Sequence, residues 1–194
     1  MGAVFLIRHG APQSSWGEAE ADRDPGLNAV GREQAMRVAE AFLKGDFGTV
    51  PKQIVSSPLK RCRETAAPLA KALGLSVEID LRLSEIPSPR DLSGEARSAW
   101  LRHAFEGRWD EISGEINYQT WADEVASAVA ERSETALFTH FVAINAAVAA
   151  ARDDRRVRQF DPGHASVTRL RVVRCAPARL ELEGLGDSNV TKVL

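Results

Sequence analysis

Short apolar runs of strand length alternate along this chain with longer stretches in which apolar residues recur every three or four positions. The alternation predicts strands interleaved with helices, an α/β chain. Ala3-Val4-Phe5-Leu6-Ile7 reads as a first buried strand and stops abruptly on Arg8-His9-Gly10. A stretch of loop composition follows to Asp24-Pro25-Gly26, and Asn28 then caps a helix that runs to about Leu43. Gln53 to Ser56 forms a short central strand, with Ser57 and Pro58 expected as N-cap and first residue of the next helix. Leu59, Cys62, Ala66, Leu69 and Leu73 make that helix's apolar face. Leu75 to Asp80 alternates as a strand, Tyr118 to Arg132 as a helix, and Thr135 to Thr139 as a strand ending on His140. The helix after His140 is apolar nearly all round, and Ala165–Cys175 with Ala178–Glu183 predict a closing hairpin.

Chemistry collects where these strands end. In open α/β sheets ligands bind beyond the carboxyl ends of the strands, so Arg8 and His9 mark a candidate site and His140 repeats the arrangement. Arg61, in the first turn of its helix, leans back toward the same end. A cation there opposes the helix dipole unless an anion sits between them. Glu85 lies between apolar residues just before Pro87 and Pro89 break the chain. Gln13, Ser14, Ser15 and Trp16 follow the first strand closely enough to line the mouth of a site. Trp100, Phe105, Trp109, Tyr118 and Trp121 fall in one excursion of about 90–121, as pocket lining or as fasteners for short helices. His103 and His164 sit in that excursion and in a turn, and neither is assigned a catalytic part.

Composition narrows the partners. The 194 residues suit one domain, and a net charge of −2 without charge blocks leaves no basic track for nucleic acid. No apolar run approaches a membrane span, and no secretory leader opens the sequence. A cytoplasmic protein acting on a small molecule, as monomer or homodimer, is the expectation. Cys62 and Cys175 lack metal-ligand spacing and read as small buried hydrophobes.

Five blocks in order then resemble the histidine phosphatase superfamily, with its phosphoglycerate mutase-like fold: Leu6-Ile-Arg-His-Gly10, Leu27-Asn-Ala-Val-Gly-Arg-Glu-Gln-Ala35, Ser56-Ser-Pro-Leu-Lys-Arg61-Cys-Arg-Glu-Thr65-Ala, Leu83-Ser-Glu85 and Thr139-His140. The resemblance implies a three-layer α/β/α sandwich on a mostly parallel sheet, with a short helical cap inserted at about 88–121. It implies His9 as phosphoryl-accepting nucleophile, Arg8, Arg61 and His140 around the phosphate, Glu85 as general acid, and neither metal nor other cofactor. Gln13, Ser14 and Phe141 are expected on the substrate side. Phe141 stands where the family often has Gly, Ala11 where it has a polar residue, and Asn28 where Ser or Thr is usual. The activity so implied is a phosphomonoesterase passing through phosphohistidine. Mutase-type transfer, or a phosphohistidine or phosphoprotein signalling module, are the alternatives.

Overall fold

The structure is a computed structural model that describes residues 2–14, 24–173 and 178–188. Ser15, Trp16 and Cys175 therefore lie outside the described residues. Six strands form one sheet in the order β3-β2-β4-β1-β5-β6: β1 Gly2–Arg8, β2 Gln53–Ser56, β3 Val77–Ile79, β4 Thr135–Thr139, β5 Val167–Val173 and β6 Arg179–Gly184. β1 to β4 run parallel, and β5 and β6 close one edge as the expected antiparallel hairpin. The helices are α1 Ala29–Lys44, α2 Lys60–Leu73, α3 Gly94–Glu106, α4 Tyr118–Ala130 and α5 Phe141–Arg152.

The period-two alternation of β1 builds the layers. Phe5 and Ile7 face one side with Val38, Phe42, Cys62, Ala66 and Leu69 from α1 and α2. Val4 and Leu6 face the other with Val129, Ile144 and Val148 from α4 and α5. Segment 88–121 supplies α3 and a 3-10 turn at Trp109–Glu111. Its Leu101, Phe105 and Trp109 pack with Tyr118, Val125 and Phe141 in a third apolar cluster. The aromatics of the excursion thus fasten it to α4 and α5.

α1 begins as its sequence predicts, with the Asn28 side chain accepting from the Gly31 N–H at 2.8 Å. α2 does not. It starts at Lys60 with Leu59 as N-cap, and the Ser57 hydroxyl, which accepts from the Leu59 N–H at 3.3 Å, also meets a histidine ring 2.8 Å away. Register places the site. Arg8 pairs with Thr139 and Ser56 with Phe138, so β1, β4 and β2 end side by side and their next residues, His9, His140 and Ser57, meet.

Candidate active site

His9 leaves β1 with its backbone N–H on the Thr139 carbonyl at 3.0 Å. Its Nδ1 lies 2.8 Å from the Gly10 carbonyl, an acceptor only, so Nδ1 carries the proton and Nε2 keeps its lone pair. Gly10 is held in turn by the Thr65 hydroxyl of α2, which accepts from its N–H at 2.9 Å. The glycine is needed for close packing against α1. A Cβ at Gly10 would stand 2.6 Å from the Gly31 carbonyl oxygen, while a Cβ at Gly31 would stand 2.2 Å from that of Ala11.

Around His9 the cations converge. Arg8 is buried, donates through Nη1 to the Pro162 carbonyl at 2.8 Å, and has no partner for Nε. Phe141, expected on the substrate side, packs beside Arg8. It is 6% exposed and packed against Phe105, and the Arg8 guanidinium carbon lies over its ring, 5.3 Å from the ring centre, so the ring braces that cation. Arg61 is buried at the start of α2 with Nη2 3.1 Å from His140 Nδ1. Asp24, which the sequence reading did not single out, also reaches that helix start. Its Oδ1 accepts from the Lys60 N–H at 2.7 Å and stands 4.0 Å from Arg61 Nη1. His140 is fully buried, its ring centre 5.3 Å from that of His9. Glu85 joins the cluster, with Oε2 3.7 Å from His140 Nδ1 and a side chain 12% exposed. The Thr139 hydroxyl fixes its approach by donating to the Leu83 carbonyl at 2.7 Å.

Electrostatics separates acid from base. Burial, then the neighbouring His140, Arg61 and Arg8, hold His9 well below the usual imidazole range. Burial followed by the two arginines does the same to His140. Burial pushes the Glu85 carboxyl upward against the opposing pull of Arg61 and the Ile86 N–H. Arg8 is brought down to about 10, mainly by burial, and still carries its charge near neutral pH. Two neutral imidazoles, two guanidiniums and a carboxyl inclined to keep its proton suit an incoming dianion.

Five of the expected residues, Arg8, His9, Arg61, Glu85 and His140, thus meet. Gln13 is exposed, its backbone N–H on the Gly26 carbonyl, and Ser14 is half-buried in the same stretch. His103 is exposed on α3, away from any assigned role. His164, assigned no catalytic part, lies with its ring centre 5.6 Å from that of His9. Burial and the charge of Arg8 bring it down to about 4. Asn145 explains how it gets there. In the middle of α5, apolar from Phe141 to Ala151 but for this residue, its Oδ1 accepts from the N–H groups of Gln159 and Phe160, anchoring the connection that carries Pro162 and His164.

The family model of the histidine phosphatase superfamily (branch 1) matches residues 4–187. The chain belongs to that superfamily. It is 30% identical over 159 residues, 75% of its own length and 72% of the relative's, to the probable phosphoglycerate mutase GpmB of Salmonella paratyphi C. A mycobacterial glucosyl-3-phosphoglycerate phosphatase is 25% identical with a TM-score of 0.74, over 97% of this chain and all (100%) of the other. Entamoeba histolytica phosphoserine phosphatase, solved with 3-phosphoglyceric acid, shares the fold at 19% identity and a TM-score of 0.73 over 100% of both chains. The α/β fold is that of the phosphoglycerate mutase-like histidine phosphatases.

Proposed function

We propose that the protein is a metal-independent phosphomonoesterase that hydrolyses a small phosphorylated metabolite through phospho-His9. One observation carries the reading: His9 keeps an unprotonated Nε2 within the field of two buried guanidiniums, Arg8 and Arg61, with its other nitrogen tied to the Gly10 carbonyl. Phosphoryl transfer asks a protein mainly for in-line positioning and for cations on the equatorial oxygens. Arg8 Nε and the forks of Arg8 and Arg61 supply those cations. His9 Nε2 attacks phosphorus as the ester P–O bond breaks, and the Glu85 carboxyl gives its proton to the departing oxygen. Water then attacks phospho-His9, its proton passes to Glu85, and the P–N bond breaks to free phosphate and restore both groups.

Transfer to a second hydroxyl is the other reading, favoured by the likeness to a protein named a probable phosphoglycerate mutase. Hydrolysis is preferred because the cap insertion is short, leaving water free to intercept the phosphoenzyme. A cytoplasmic location accords with this activity, and among the described residues no helix is long and apolar enough to cross a membrane. The test is hydrolysis of p-nitrophenyl phosphate. Activity should survive EDTA and vanish in His9→Ala. Loss of activity on chelation, or phosphate exchange between positions of phosphoglycerate without net release, would redirect the assignment.

A further inference from the structure

Resting on the reading of this cluster as a phosphate pocket, we infer that His164 is a further phosphate-binding residue, whose ring N–H donates to an oxygen at the flank of the transferring phosphoryl group. Its ring stands beside the nucleophile, 5.6 Å from His9 between centres, a separation close to the 5.3 Å between His9 and His140. The other two rings are engaged. His9 Nδ1 is on the Gly10 carbonyl, and the His140 nitrogens meet Arg61 and Ser57. His164 is half-buried, yet neither of its ring nitrogens has a hydrogen-bond partner among the described residues. A ring nitrogen left open beside a nucleophile is a place for a ligand atom.

The turn that carries His164 is fastened to the end of β1. The Pro162 carbonyl accepts from Arg8 Nη1 at 2.8 Å and the Ser166 carbonyl from the Arg8 N–H at 3.2 Å. The Ala165 N–H donates to the Arg8 and His9 carbonyls at 3.1 and 3.3 Å. Ala165 takes a left-handed φ of +57°, which a residue with a Cβ holds only where its surroundings impose it. All of these bonds use main-chain groups of the turn, so they survive a change of the His164 side chain. The ring is aimed by its backbone. Which oxygen it meets follows from its neighbours. The in-line axis runs from His9 Nε2 through phosphorus to the leaving oxygen, and Glu85, which serves that oxygen, stands beside His140. The charge that acts on His164 is instead that of Arg8, whose fork supplies the equatorial oxygens. Burial and that charge keep the imidazole neutral at working pH, so it brings an N–H to the anion without repelling Arg8.

Two substitutions separate a donor from a packing ring. His164→Phe keeps a ring beside His9 and loses the N–H, whereas His164→Gln keeps an N–H donor and loses the ring. Inorganic phosphate is the probe, titrated by calorimetry near pH 7.5, where His164 is neutral. His164→Phe should raise its dissociation constant about 10- to 100-fold, as the loss of a hydrogen bond to a charged acceptor does. His164→Gln should hold it near the wild-type value. Unchanged phosphate affinity in His164→Phe overturns the inference, because the N–H is then unused. A loss in His164→Gln as large as that in His164→Phe also overturns it, because the ring then acts by packing on His9. Hydrolysis of p-nitrophenyl phosphate separates the two levels: a wild type that turns over and binds phosphate no better than His164→Phe rejects the part given to His164 alone, and a wild type with neither turnover nor phosphate binding rejects the phosphate pocket itself.

Discussion

His9 can act as a nucleophile because three arrangements act on one ring: the Gly10 carbonyl holds its proton on Nδ1, burial keeps it neutral, and Arg8 and Arg61 oppose its protonation. Glu85 needs the opposite, and its apolar surroundings supply it. The signs give a pH profile. His9 is lowered from 6.5, so the acid limb of kcat/KM falls below that value, whereas Glu85 is raised from 4.5 and activity declines as pH rises through its folded value. Glu85→Gln should lower kcat with p-nitrophenyl phosphate by about 10²- to 10⁴-fold, change KM little, and remove the alkaline limb. An unchanged kcat would take Glu85 out of the chemistry. His164 belongs to the same neighbourhood by its contact with His9, and its depressed value keeps it neutral at working pH.

At the scale of elements, the strand register does the positioning and the helices clamp it. β1 and β4 end level, and Thr65 of α2 and Gly31 of α1 hold the turn between Arg8 and Ala11 from two sides. Gly10→Ala would push a methyl to 2.6 Å from the Gly31 carbonyl oxygen, within a backbone that cannot yield cheaply. A loss of about 1–3 kcal/mol in urea denaturation and a fall in turnover are expected. Wild-type stability in that variant would contradict the clamp. This is also where sequence reading succeeded and failed. Arg8, His9 and His140 were legible because a strand's apolar run ends visibly, and Arg61 because a helix start fixes where a side chain leans. Ser57 was misread as the N-cap, and no local pattern records that its hydroxyl meets a ring on a different strand end. His164, Asn145 and Asp24 escaped for the same reason. Their contacts join segments far apart in sequence, with no periodicity to announce them.

For the whole molecule, burying a polar cluster has a cost that pH reveals. His9 and His140 are held neutral in the fold, while in the unfolded chain they take up protons below about pH 6.5. The unfolded state therefore binds more protons as pH drops through 6.5, and stability falls, by up to about 1.4 kcal/mol per pH unit for each histidine. Glu85 works the other way, its raised value eroding stability as pH climbs from 4.5 toward that value. Urea denaturation at pH 7.5 and 5.5 should show the loss on the acid side, and a double substitution of His9 and His140 by Asn should reduce it. In a Glu85→Gln background, where the opposing contribution is removed, equal stabilities at the two pH values would mean that these rings are not held neutral. Three apolar clusters around one sheet supply the burial that sustains this arrangement.

The central claim, that His9 takes the phosphoryl group, is tested most directly by trapping. Enzyme quenched in alkali during turnover of p-nitrophenyl phosphate should yield, by mass spectrometry, a peptide phosphorylated on His9 whose label is lost in acid and is missing from His9→Ala. A label on another residue, or full turnover by His9→Ala, would contradict the account.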